Sequence, residues 1–457
     1  MWEPMREALL RKSKYVAVIN NYGDAEKTMT YLSNRGAHCL KNLMEVQTEF
    51  HKAYAPPESV NSQTTSSQSS GKLEDFVAKV QTEDIASVYG TDQSPERLDT
   101  PEISLGKEEI VEKKNEIKQK RQTLEQSIAE AEIDESRIID PSMGISSEAL
   151  HQYIPATQLK GMDEWIPESL HYSYYSKGKD FPLIVEAETE FSYPEHLKVY
   201  TYEMDSDYTS FPEPKRCQTG VFNYYPMDCG SVAAVLALCL RAGDRVLDLC
   251  SGPGGKALVA LQTLLPDIVV CNDVSHSRCS RIQRVFSDYL FDFETSNKWR
   301  ERVLFSRVDG REFRDEQGFD KVLVDVPCTT DRHTIREDEN NIFRPDRVKE
   351  RLKLPELQAV LLVKALSLVK VGGAVVYSTC SLSPIQNDGV VHMALKQAFE
   401  SHGITAIVKD LTICMSALSS TLKLGTEAAT PKYGQLIIPY VGANFGPTYF
   451  SRLVRTK

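Results

Sequence analysis

Cys328 and Cys380 are the residues whose surroundings ask for chemistry. Cys328 lies in Asp325-Val326-Pro327-Cys328-Thr329-Thr330-Asp331-Arg332, directly after the apolar run Lys321 to Asp325. Cys380 lies in Tyr377-Ser378-Thr379-Cys380-Ser381, directly after Ala374 to Thr379. A single cysteine at such a place is more often a small buried hydrophobe. Two of them at the ends of neighbouring strands, beside an aspartate, are hard to explain by packing. A thiolate there could act as a nucleophile.

A second cluster precedes them. Asp248-Leu249-Cys250-Ser251-Gly252-Pro253-Gly254-Gly255-Lys256 joins a short apolar run, Arg245 to Cys250, to an apolar helix, Ala257 to Leu265. Glycines there let a ligand approach backbone at the positive end of a helix. The next run, Ile268 to Asp273, ends in a carboxylate where Rossmann-like sheets meet a ribose diol. Asp309-Gly310 follows the third run, Val303 to Arg307. Neither the dinucleotide spacing Gly-x-Gly-x-x-Gly nor a phosphate loop ending Gly-Lys-Ser/Thr is present. The ligand expected is a nucleoside without a pyrophosphate, and S-adenosylmethionine is one. The glycine turn alone is as readily structural as functional. The carboxylates at successive strand ends favour a site.

Together these groups suit methylation of cytosine at carbon 5. That carbon is too weak a nucleophile to take a methyl group unaided. A thiolate adding to carbon 6 makes it enamine-like. Asp325 can hydrogen-bond the ring edge at N3 and N4 and stabilise the charge that develops there. A second cysteine can assist release of the product.

The elements that must position these residues alternate. Ser231 to Leu240, Ser277 to Leu290, Leu354 to Val369 and Pro384 to Phe399 read as helices. Gly372-Gly373 reads as the stop of the third, and Ser383 with Pro384 as the cap and first residue of the fourth. Ile404 to Leu411, Gln435 to Tyr440 and Pro447 to Val454 read as strands. Strands alternating with helices imply an α/β fold, a doubly wound, mostly parallel sheet covered on both faces. Two last strands joined by a loop imply a terminal antiparallel hairpin. This is the seven-stranded, Rossmann-like layout of methyltransferases.

Residues 1–55 read as an N-terminal helical segment, stopped by Ala55-Pro56-Pro57. Residues 56–140 read as an insert: Asn61 to Lys72 is polar and low in complexity, and 107–137 is a charged helix-like stretch exposed to solvent. Residues 141–215 read as an irregular lead-in with short strands, and 216–457 as the catalytic domain. The ten cysteines include no Cys-x-x-Cys pair, which argues against zinc and against a disulfide framework. No apolar run approaches the roughly 20 residues needed to cross a bilayer. Met1 to Tyr15 is mixed and charged, read as an ordinary amphipathic helix rather than a secretory or transit segment. The formal net charge is −11, a poor total for gripping nucleic acid unaided.

The motifs DLCSGPGGK, VDVPC and YSTCS resemble those of the Sun-domain RNA cytosine-5 methyltransferases. The resemblance covers about residues 198–457 well and Trp2 to Tyr54 loosely. VDVPCTTDRH, Glu339 to Phe343, Ser378 to Asn387 and Asn444-Phe445-Gly446-Pro447 are most similar to the mitochondrial ribosomal RNA branch. The resemblance implies that Cys380 attacks carbon 6 and that Cys328 serves product release. It implies S-adenosylmethionine contacts at Gly254, Gly255, Lys256, Asp273, Arg278, Asp309, Gly310 and Asp325. It further implies a ribosomal RNA substrate, support of mitoribosome assembly, a mitochondrial matrix location and a helical-repeat partner of the mitochondrial termination-factor family. The 56–140 insert and the lack of an evident basic presequence depart from that pattern. The alternatives are a catalytically dispensable assembly scaffold, a transfer RNA cytosine-5 methyltransferase and, more remotely, a DNA enzyme. The basic stretch Arg332 to Lys353 is open between a solvated face and an RNA-backbone contact. His333 reads as structural. Tyr174, Tyr175, Tyr224 and Tyr225 read as packing residues before base-stacking ones.

Overall fold

A computed structural model describes residues 2–54, 181–189, 192–206, 211–425 and 431–457. The expectations for the insert at 56–140, and for Tyr174 and Tyr175, lie outside the described residues.

The N-terminal segment is not simply helical. Three helices, α1 (Trp2–Leu10), α2 (Ala25–Ser33) and α3 (Leu40–Tyr54), alternate with strands β1 (Val16–Ile19) and β2 (His38–Cys39). The helical reading of residues 1–55 is interrupted between α2 and α3 at Gly36, whose φ of +80° turns the chain. All four residues of β1 are buried. It pairs antiparallel with β4 (Val199–Thr201) and β5 (Tyr224–Met227), and β2 completes the order β2-β4-β1-β5. Tyr224 is accordingly a core residue, and the Tyr225 ring packs edge-on against Tyr289.

The main sheet is built from β6 (Arg245–Asp248), β7 (Ile268–Asn272), β8 (Val303–Ser306), β9 (Phe319–Asp325), β10 (Val369–Thr379), β11 (Ala406–Asp410), β12 (Gln435–Ile437) and β13 (Thr448–Arg455). With β3 (Ile184–Ala187) at one edge, the order along it is β3-β11-β13-β10-β9-β6-β7-β8, with β12 paired to β13. The strands from β10 to β8 are parallel; β13 is antiparallel to β10, β11 and β12. The seven expected strands are present. The run read as a strand from Gln435 is β12, which forms the expected hairpin with β13 and makes eight, and β3 adds a ninth at the edge beside β11. The catalytic sheet therefore draws a strand from the stretch expected as a lead-in.

Both faces of this sheet are covered, which is why β9 reads as a continuous apolar run. Val322 and Val324 pack with α9 (Val348–Leu368) and α10 (Val390–His402), whereas Leu323 faces the cluster around α4 (Cys229–Leu236). The remaining helices are α5 (Gly255–Gln262), α6 (His276–Tyr289), α7 (Asn297–Arg302), α8 (Asp331–Arg336) and α11 (Thr412–Ser416). Strand order reverses between β6 and β9, and the crevice at such a switch point is where open α/β sheets bind ligands.

Two expected boundaries differ. The third main helix begins at Val348, carries Pro355 inside it and ends at Leu368. Gly372 and Gly373 do not stop it; they lie inside β10, where the register to β9 shifts between Val369 and Ala374. A Cβ on Gly373 would stand 2.7 Å from the Asp320 carbonyl oxygen, so the bulge needs glycine. Ser383 does not cap the next helix. Its N–H donates to Ser381 Oγ at 3.1 Å, and the helix is entered through a π-turn at Ile385–Gly389.

Candidate active site

Ser378 on β10 pairs in register with Asp325 on β9, so both chains leave the sheet at the same edge. The sulfurs of Cys328 and Cys380 then lie 3.0 Å apart, and the Cys380 N–H points to Cys328 Sγ at 3.3 Å. Cys380 is the more exposed of the two. The contact between them lowers the Cys328 thiol and raises that of Cys380, with burial adding to the rise. The two thiols are coupled and titrate as one unit.

Asp325 is held on both oxygens. Lys256 Nζ is 2.7 Å from Oδ2, and the Ser378 hydroxyl donates to Oδ1 at 2.7 Å. Burial opposes the charge on Lys256, but Asp325 outweighs it and raises the ammonium's pKa. Behind them Asp248 is 2% exposed, and its Oδ1 has no hydrogen-bond partner. Burial, then the charge of Asp325, pushes its carboxyl up to about 7.

A cleft of ≈ 910 Å³ runs from the two cysteines past Lys256 and Asp325 to Asp273, Arg278, Asp309 and Gly310. Asp273 accepts from the Gly252 N–H at 3.2 Å and the Ser275 N–H at 2.8 Å, and Arg278 Nε is 3.0 Å away. A Cβ on Gly252 would meet Asp273 Oδ2 at 2.7 Å, and one on Gly310 would meet Leu361 at 2.7 Å. Asp309 is clamped by Arg311 at 2.6 Å, which lowers its carboxyl. Gly254 and Gly255 follow Gly252 and Pro253, which line the cleft. They back its wall: Gly254, at φ +102°, packs on Ile282, and Gly255 packs on Tyr225. The residues present fit a nucleoside: a carboxylate with an arginine at the far end, and a wall where Gly252 and Gly310 leave no room for a Cβ.

A buried polar network that the motifs do not announce braces the cysteine loops. Gln358 donates to the Pro327 carbonyl at 2.7 Å and to Gln386 at 3.1 Å. Thr379 donates to Asn387 at 2.6 Å, and the Leu382 N–H donates to Asp331 Oδ2 at 2.7 Å. The clue in the sequence is polar residues at buried helix positions: Gln358 is fully buried, on the apolar face of α9.

The basic stretch divides. Arg332 is used internally, donating to the Gly446 carbonyl at 2.6 Å, to Asn444 Oδ1 at 2.8 Å and to the Ala8 carbonyl at 3.2 Å. Arg344 pairs with Asp346, and Arg347 with Glu350. Arg351 lies 5.0 Å over the Phe343 ring. Arg336 is exposed and has no partner among the described residues. The His333 ring meets the Glu339 carbonyl at 3.0 Å. Among the described residues no histidine, cysteine and carboxylate cluster could hold a metal ion, and no helix is long and apolar enough to cross a membrane.

A sheet of this order, with its nucleoside-sized cleft at the switch point, defines the class of S-adenosylmethionine-dependent methyltransferases. The family described as 16S rRNA methyltransferase RsmB/F matches residues 235–424. The 5-cytosine rRNA methyltransferase NSUN4 of Xenopus laevis is 42% identical over 263 residues, 57% of this chain and 63% of that one. Its Mus musculus counterpart is 42% identical over 263 residues, 57% of this chain and 67% of that one. The mitochondrial tRNA (cytosine(34)-C(5))-methyltransferase of Mus musculus is 33% identical over 266 residues, 57% of this chain and 71% of that one. The chain belongs to the RsmB/F, or Sun-domain, family of RNA cytosine-5 methyltransferases. The matched region spans about two thirds of the length of these relatives.

Proposed function

We propose that the protein transfers a methyl group from S-adenosylmethionine to carbon 5 of a cytosine in ribosomal RNA. The observation that carries this reading is the pair of thiols 3.0 Å apart at the ends of β9 and β10, beside the Lys256–Asp325 pair. Asp273 and Arg278 would hold the far end of the donor, and Gly252, Asp309 and Gly310 its sides. When bound, the donor supplies an electrophilic methyl group.

The chain's own residues do the rest. The Cys380 thiolate adds to carbon 6, forming the S–C6 bond while the 5,6 π-pair moves toward carbon 5 and N3. Asp325, fixed by Lys256 and Ser378, faces N3 and N4 and stabilises the ring as charge shifts. After transfer, carbon 5 gives its proton to solvent water, the C5–H pair re-forms the 5,6 double bond and the S–C6 bond breaks, its electron pair leaving on the Cys380 sulfur. The Cys328 thiol is placed to protonate the departing Cys380 sulfur.

The relatives named for ribosomal RNA favour that substrate class, and the mitochondrial relative named for tRNA gives the second reading. We extend the proposal to the mitochondrial matrix, to small-subunit ribosomal RNA and to support of mitoribosome assembly. A net charge of −11 favours delivery of the RNA by a basic partner, for which a helical-repeat protein of the mitochondrial termination-factor family is our candidate. The test is methyl transfer from labelled donor to ribosomal RNA, tRNA and DNA in parallel, followed by nucleoside analysis. 5-Methylcytosine in ribosomal RNA, lost in Cys380→Ala, is the expected result. Ribosome assembly that survives Cys380→Ala, without methylation by the wild-type chain on any substrate, would favour the scaffold reading.

A further inference from the structure

Cys380 stands between two cavities. The larger is the cleft that leads to Asp273. The smaller, of ≈ 410 Å³, opens on the other side of the sulfur and is lined by Tyr15, His333, Arg336 and Pro447 among others. Ser231, Thr330, Cys380 and Thr448 belong to both. With the donor at the Asp273 end of the larger cavity and the reacting base between Cys380 and Asp325, the smaller cavity adjoins the base's place and is open to a neighbouring nucleotide of the same strand. Its volume suits a nucleotide rather than a helix, and a base taken out of its stack for chemistry enters such a pocket singly.

The wall of this cavity comes from the far end of the chain. Tyr15 is 43% exposed, although the next four residues, Val16 to Ile19, are buried in β1. Its backbone is anchored on both sides. The Lys14 N–H donates to the Asn444 carbonyl at 2.9 Å, and Asn444 Nδ2 donates to the Lys12 carbonyl at 3.0 Å. Arg332 ties the same loop to Gly446 and to Ala8. An exposed ring on so firmly held a backbone presents a flat apolar face at little entropic cost. Arg336, unpaired among the described residues, lies on the rim of the same cavity.

We propose that Tyr15 is the stacking platform for an unstacked nucleotide of the RNA substrate, with Arg336 on its phosphate. This assignment makes the N-terminal segment a positioning part of the substrate site, and it rests on the RNA reading given above. Stacking on an aromatic side chain is tolerant of sequence, and removing such a ring weakens binding about 5- to 150-fold.

The test uses the full chain and a short fluorescent single-stranded RNA with one cytosine, titrated at low salt, with methyl transfer measured on the same RNA. Tyr15→Ala and Tyr15→Leu should weaken RNA binding within that range and raise KM far more than they lower kcat. Tyr15→Phe should bind within about twofold of the wild type, because stacking needs the ring and not the hydroxyl. Donor affinity by calorimetry should be the same in all of them. Arg336→Gln should reduce the salt dependence of binding by about one phosphate contact. Wild-type affinity in Tyr15→Ala overturns the inference, as does Tyr15→Phe losing as much as Tyr15→Ala. A wild-type chain that shows no RNA binding also overturns it. RNA bound through Tyr15 without methyl transfer would overturn the proposed reaction and support the stacking role; methyl transfer with Tyr15→Ala unaffected would do the reverse.

Discussion

Lys256 Nζ lies 2.7 Å from Asp325 Oδ2, and this ammonium also feels the charges of Asp248 and Cys380. Its side chain is 12% exposed and that of Asp325 is 31% exposed. Removing one partner of such a pair leaves the other charge poorly solvated, at a cost of about 3 kcal/mol. Lys256→Met should therefore lower the urea midpoint as well as abolish activity. Asp325→Asn, whose single amide oxygen can accept from Ser378 or from Lys256 but not from both, leaves the more buried Lys256 charge uncompensated and should be at least as destabilised, while losing at least about a hundredfold in kcat, the scale of a lost transition-state contact. Equal stability of Lys256→Met and the wild type would show that the pair contributes no net stabilisation.

Asp248 gives a pH dependence with a definite sign. Its folded carboxyl is raised from 3.8 to about 7, so between those values the native state binds a proton that the unfolded state has released. Stability from this group is complete below pH 4, declines as pH rises toward 7 and is flat above. The whole swing is on the order of 4 kcal/mol. Asp248→Asn, which cannot ionise, should lack that decline. Urea unfolding of both proteins at pH 5 and pH 8 measures it. The variant should gain on the wild type at pH 8; parallel curves at the two pH values would refute the assignment.

Asp273 was read as the ribose carboxylate, and the structure also has it accepting from the N–H groups of Gly252 and Ser275. Asp273→Ala should then weaken S-adenosylmethionine binding by about 1.5–3 kcal/mol. It should also loosen the glycine loop, visible as faster amide exchange at residues 251–254. Calorimetry showing wild-type affinity would remove Asp273 from the donor site.

What was legible in the sequence was local. The stretch from β6 through the glycine turn into α5, and the ends of β9 and β10, carry their signals within a few residues. What was missed depends on distant partners. The four residues of β1 are a strand because Val199–Thr201 and Tyr224–Met227 flank them. Ile184–Ala187 is a strand because β11 offers it an edge. Neither run has enough length for periodicity to reveal it. The π-turn at Ile385–Gly389 replaces the expected cap because Gln386 and Asn387 are drawn inward, to Gln358 and to Thr379. That demand comes from across the fold. Arg332 looked like one more cation in a basic stretch, and only the approach of Ala8 and Gly446 shows it to be a bracket.

The cysteine roles separate by covalent trapping. Cys380 is the more exposed sulfur, and it lines both cavities, whereas Cys328 lines only the larger. A nucleophile has to reach the base and also stand beside the methyl donor, which favours Cys380 for attack. Cys328, 3.0 Å behind it, can serve the departing sulfur. Cys380→Ala should form no adduct with RNA and release no 5-methylcytosine. Cys328→Ala should still attack and methylate, but stall before release, so that a protein–RNA adduct resistant to denaturant accumulates without any modified substrate. Denaturing gel electrophoresis with labelled RNA reads both outcomes. Because the two thiols share a proton, Cys328→Ala should also shift the pH at which adduct formation reaches half its maximum, as the lone Cys380 thiol loses its partner. An adduct in Cys380→Ala and none in Cys328→Ala would reverse the assignment.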